Sequence, residues 1–149
     1  MKDLRPILLA EDNPNDVELI LAAFKEVNFL NEIHVTHDGE QALDFLYRRG
    51  PHAGRTGPQP VVLLLDLKMP KVDGREVLRQ VRADPQLRHL PVVILTSSCE
   101  ESDLLASYQL GANAFVVKPV DFQEFISAVS KLGFFWALLN EPPPATNAE

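Results

Sequence analysis

Five consecutive branched aliphatics, Val61-Val62-Leu63-Leu64-Leu65, end on an acid, Asp66, and no other run constrains the fold as tightly. Without alternation of apolar and polar residues, it reads as a parallel strand buried on both faces, which requires helices packed above and below. Asp66 then stands where an inner strand leaves the core, and in open parallel sheets that carboxyl edge is where ligand sites lie. A carboxylate there either caps a helix or does chemistry. Pro70 limits how far regular structure continues, and Asp73 is a good N-cap for a helix beginning near Gly74. Asp66 comes too early to be that cap.

The pattern recurs. Ile7-Leu8-Leu9-Ala10 also ends on acids, Glu11-Asp12, followed by the turn-favouring Asn13-Pro14-Asn15-Asp16. Asp16 or Asn15 is expected to cap a helix whose apolar stripe is Val17, Ile20, Leu21, Phe24 and Val27. Ile33-His34-Val35-Thr36 is a thinner strand, and Asp38-Gly39 turns into a helix carrying Ala42, Leu43, Phe45 and Leu46. Residues 48–60 hold Gly50, Pro51, Gly54, Gly57, Pro58 and Pro60 and read as an exposed loop. Val77, Leu78 and Val81 mark a third helix, ended by Asp84-Pro85. Val92-Val93-Ile94-Leu95-Thr96 is a fourth strand, and Leu104, Leu105, Tyr108 and Leu110 form a fourth helix closed by Gly111. Ala114-Phe115-Val116-Val117 is the fifth strand, ended by Lys118-Pro119, and Asp121 caps a helix with Phe122, Phe125, Ile126, Val129 and Leu132 on one stripe.

Five strands alternating with five helices define an α/β fold, a doubly wound five-stranded parallel sheet of the flavodoxin-like kind with strand order 2-1-3-4-5. That order sets the end of strand one, Glu11-Asp12, beside the end of strand three, Asp66, in one crevice. Carboxylates brought together repel, and a divalent cation is the economical way to neutralise them. All-oxygen ligation by few protein groups suits Mg2+. Thr96 and Lys118 end strands at the same edge and should reach the crevice too. A carboxylate nucleophile, a metal, a hydroxyl and an ammonium are the parts that phosphoryl transfer needs.

The rest of the chain narrows the alternatives. At 149 residues it fits one domain, and no apolar run approaches the roughly 18 residues of a membrane span. The start, Met1-Lys2-Asp3-Leu4-Arg5-Pro6, carries no signal-like segment, so the expected location is cytoplasmic. A net charge of -7 without a Lys/Arg run argues against direct nucleic-acid binding. The single cysteine, Cys99, excludes an internal disulfide and reads as a passive thiol. His34, His37, His52 and His89 show no ligand spacing and read as surface or structural residues.

Together, Glu11-Asp12 after strand one, Asp66-Leu67-Lys68-Met69-Pro70-Lys71-Val72-Asp73-Gly74 after strand three, Thr96-Ser97 after strand four and Lys118-Pro119 after strand five resemble the receiver domain of two-component response regulators. The resemblance covers about residues 5–132. It implies that Asp66 accepts phosphate from a histidine kinase, and that Asp12, Asp66 and the backbone carbonyl of Lys68 bind Mg2+, with Glu11 helping through water. It implies further that Thr96 and Lys118 contact the phosphoryl group, that Phe115 is the aromatic switch, and that the Lys118-Pro119 bond is cis. A phosphoacceptor of this kind promotes its own phosphorylation and dephosphorylation without being a turnover enzyme. The local pattern Glu11-Asp12-Asn13-Pro14-Asn15-Asp16 and the long loop before strand three resemble small stand-alone receivers, without an output domain, that serve phytochrome-type histidine kinases. Two departures stand out: Glu11 where many receivers have Asp, and Lys68 at a side-chain position that influences dephosphorylation.

Two other functions compete. A Mg2+-dependent phosphohydrolase of the haloacid-dehalogenase type also uses an aspartate nucleophile after a buried strand, but looks for a second Asp two residues on, where this chain has Lys68. A flavin carrier would need a phosphate loop after strand one, where Glu11-Asp12 would repel phosphate. Beyond Leu132 the chain continues as Gly133-Phe134-Phe135-Trp136-Ala137-Leu138-Leu139, prolonging the last helix with apolar residues on two sides. Phe134, Phe135, Trp136 and Leu138 are therefore expected to form a homodimer interface. The expected organisation is one domain over residues 1–139 and a Pro-rich disordered tail over 140–149.

Overall fold

The strand pattern is realised as a single parallel sheet in which each inner strand is buried on both faces. The computed structural model describes residues 5–26, 31–96, 109–118 and 123. Its elements are β1 (Ile7–Ala10), α1 (Pro14–Glu26), β2 (Ile33–Thr36), α2 (Gly39–Tyr47), a 3-10 turn (Gly50–His52), β3 (Val62–Asp66), α3 (Gly74–Ala83), β4 (Val92–Thr96) and β5 (Ala114–Val117). All pairings are parallel and the order is β2-β1-β3-β4-β5. Successive strand residues point to opposite faces, and this divides the core in two. Leu8, Ala10, Leu63, Leu65, Val92 and Ile94 pack with Leu43, Leu46, Leu78 and Val81 of α2 and α3. Ile7, Leu9, Val62, Leu64, Val93 and Leu95 face Ile20 and Phe24 of α1.

Helix starts follow side-chain capping. Asp38 accepts from the Gln41 amide at 2.8 Å and Asp73 from the Glu76 amide at 3.0 Å, so α2 and α3 begin as predicted. At α1 the expectation fails. Neither Asp16 nor Asn15 is the cap: Asn13 Oδ1 accepts from the amides of Asn15 at 2.8 Å and Asp16 at 3.4 Å. Pro14 takes the first helical position, where its fixed φ and missing N–H cost nothing. Asp16 thereby enters the helix with its carboxylate released from capping.

Residues 48–60 contain no strand, as predicted, yet they are held down. The Arg55 guanidinium donates twice to the Phe45 carbonyl, at 2.7 and 3.0 Å, and stacks 4.0 Å over the Phe45 ring. Gln59 donates to the Leu46 carbonyl at 2.8 Å. These side chains satisfy the carbonyls that the end of α2 leaves open. The predicted fourth and fifth helices, Ser97, Cys99, Pro119 and the apolar extension with Phe134, Phe135, Trp136 and Leu138 fall outside the described residues, apart from Gln109, Leu110 and Gln123. No helix among the described residues is long and apolar enough to cross a membrane.

Candidate functional site

Strand register decides what meets at the carboxyl edge. Ala10 pairs with Leu65, so Glu11 follows β1 at the height where Asp66 ends β3. Thr96 pairs with Val117, which brings Lys118 level with the end of β4, and the Lys118 amide donates to the Thr96 carbonyl at 2.9 Å. The resulting crevice has a volume of about 210 Å3 and is lined by Glu11, Asp12, Asn13, Asp16, Asp66, Lys68, Thr96 and Lys118. The sequence reading singled out six of these. Asn13 and Asp16 were not among them; their signal was Pro14, which as the first helical residue puts the cap on Asn13.

A carboxylate oxygen from each of Glu11, Asp12 and Asp66 lies within 4.8 Å of the others, a cluster that could bind a metal. Asp12 is exposed, whereas Glu11 is fully buried and Asp66 and Thr96 nearly so. Lys118 reaches into this negative field with its side chain only 10% exposed. Its Nζ donates to Asp16 Oδ2 at 2.9 Å and to Asp66 Oδ2 at 3.2 Å. Glu11 Oε1 lies 2.6 Å from Nζ, the shortest ion pair of the three. Glu11 Oε2 accepts from the Asn13 amide at 3.1 Å, and Asp66 Oδ1 from the Lys68 amide at 3.3 Å.

Four carboxylates against one ammonium leave surplus negative charge in the crevice. Burial pushes Glu11 up to about 7, against the pull of Lys118 and the Asn13 amide and with a further push from Asp66. Burial alone would lower the Lys118 ammonium, but Glu11, Asp16 and Asp66 outweigh it and hold the group well above its ordinary value. The donor set fits an oxygen-ligated divalent cation: the converging donors are hard oxygens from three carboxylates. Phe115, on β5 beside Ile94, is half-buried against the α2–α3 core.

Residues 7–130 match the response regulator receiver domain family. The chain belongs to that family. Among curated relatives, this receiver is 39% identical to the probable methanogenesis regulatory protein FilR2 of Methanothrix harundinacea, over 92% of this chain and 86% of that one. It is 37% identical to the response regulator Rcp1 of Synechocystis, over 87% of each. Among solved structures, the bacteriophytochrome response regulator AtBRR is 58% identical with a TM-score of 0.85, covering 94% of this chain and all of that one. The receiver is thus homologous to phytochrome-associated response regulators. This supports a phosphoacceptor response regulator and not the phosphohydrolase alternative.

Proposed function

We propose that this receiver accepts a phosphoryl group onto Asp66 from a phytochrome-type histidine kinase and signals through phosphorylation-dependent protein contacts in the cytoplasm. The observation that carries the reading is Asp66 itself: a carboxylate at the mouth of a buried strand, 3.2 Å from a buried ammonium and in one crevice with Thr96. An Asp66 oxygen attacks phosphorus, the P–N bond of the phosphohistidine breaks, and the imidazole leaves with the electron pair. Lys118 and the Thr96 hydroxyl take up charge on the phosphoryl oxygens. Asp12, Asp66 and the Lys68 carbonyl would hold a divalent cation, with Glu11 assisting. Mg2+, when bound, offsets the charge of the transferring phosphoryl group. A solved form of Rcp1, 36% identical with a TM-score of 0.75, is Mn2+-bound, which supports a divalent cation of this size class here. The same side chains promote loss of the phosphoryl group to water.

Incubation with a small phosphodonor and Mg2+, followed by intact mass, tests this reading. One phosphoryl mass per chain that hydroxylamine releases supports it, since acyl phosphates are cleaved by that nucleophile. Steady consumption of donor without an adduct would identify a phosphohydrolase instead. We propose too that the receiver pairs with a second copy through Phe134, Phe135, Trp136 and Leu138, a reading supported by the two-sided apolar pattern of that segment.

A further inference from the structure

Lys118 is held from two sides, and only one side belongs to the acidic trio. Asp66 accepts a hydrogen bond from Nζ at 3.2 Å and Glu11 lies 2.6 Å away, but both are in the group whose oxygens converge within 4.8 Å. Asp16, on the first turn of α1 and 102 residues away in sequence, accepts a hydrogen bond from Nζ at 2.9 Å, shorter than that of Asp66. It stands outside that group, and its side chain is 22% exposed. Asn13 does the helix capping, so the Asp16 carboxylate serves Lys118 without competition from backbone amides. A divalent cation entering among Glu11, Asp12 and Asp66 competes with the ammonium for two of its three partners and repels it. Without another anion, a flexible four-carbon side chain would swing out to water.

We propose that Asp16 is a positioning residue that tethers Lys118 to α1 while a divalent cation draws Glu11 and Asp66 away from it. The tether leaves the ammonium at the crevice wall with protons free for a phosphoryl group on Asp66. The proposal rests on the reading of Glu11, Asp12 and Asp66 as the cation's surroundings. It assigns a role to a residue that a cap would not have.

The test is proton exchange of the Lys118 ammonium, observed on nitrogen-15, with and without Mg2+ and with no phosphodonor present. Wild type is expected to stay protected in both conditions. Asp16→Asn, which keeps the shape and an acceptor oxygen but loses the charge, is expected to be protected without Mg2+ and to exchange about tenfold faster with it, by loss of a charge-assisted hydrogen bond. Asp16→Glu should restore protection. Protection in the metal-free variant reports that the crevice is folded. Labelling of Asp66 at saturating Mg2+ should slow about tenfold in Asp16→Asn through misplacement of the ammonium, and should not slow further when Lys118→Ala is already present. Equal protection of wild type and Asp16→Asn under Mg2+, or loss of protection in wild type itself, overturns the tether. Failure of the phosphoacceptor reading would show separately, as wild type that is never labelled.

Discussion

Glu11 is fully buried in the crevice, and burial pushes its carboxyl up to about 7. A metal requires the ionised form, so binding must expel that proton. Mg2+ affinity should therefore rise as pH climbs toward about 7 and level off above it; calorimetry at pH 6.5 in two buffers of different ionisation enthalpy should reveal proton release. Affinity that is flat from pH 6 to 8 would contradict the assignment of Glu11 to the site. The sign for stability runs the other way. A raised folded-state pKa contributes stability that is complete below the unfolded value of 4.5 and is lost as pH rises through about 7. Glu11, Asp12, Asp66, Thr96 and Lys118 were legible in the sequence because each ends or follows an unbroken apolar run. Asp16 was not, since an acid near a helix start has capping as its ordinary explanation.

At the scale of elements, α3 positions the site by pressing its first turn against the end of β3. A Cβ on Gly74 would lie 2.3 Å from the Asp66 carbonyl oxygen and 2.7 Å from the Leu67 Cα, both backbone atoms that cannot swing aside. Gly74→Ala should cost about 1–3 kcal/mol in thermal unfolding by overpacking, and should slow Asp66 labelling by displacing the strand end. A variant with wild-type stability and rate would show that this close approach is not needed. We expect phosphorylation to draw Thr96 toward the phosphoryl oxygens and Phe115 inward behind it. A beryllofluoride complex without spectral change at Phe115 would contradict that switch. Among the described residues, helix and strand identities were readable from periodicity, whereas the clasps between elements were not. Arg82 donates to the carbonyls of Gly111, Arg88 and Leu90 and to Asn113 Oδ1, joining α3 to the start of β5. A lone arginine on a helix carries no sequence sign of so many distant acceptors.

For the molecule as a whole, strand order followed from five strand-like segments alternating with helices and from the right-handed crossover rule. That topology is what carries residues 11, 66, 96 and 118 from four strand ends into one crevice. The segment after Leu132 acts at this scale too. Sedimentation of wild type against a chain cut after Leu132 should show a dimer that the cut converts to monomer, and wild type that stays monomeric at tens of micromolar would contradict pairing through Phe134, Phe135, Trp136 and Leu138.

Peptide mapping of the phosphoryl adduct in wild type and in Asp66→Asn most directly tests the claim that Asp66 is the phosphoacceptor. With a small phosphodonor and Mg2+, wild type should carry one hydroxylamine-sensitive adduct on the peptide containing Asp66. Asp66→Asn should fold, retain its circular dichroism and carry none. An adduct at wild-type level in Asp66→Asn, or one mapped to another residue in wild type, would contradict the account.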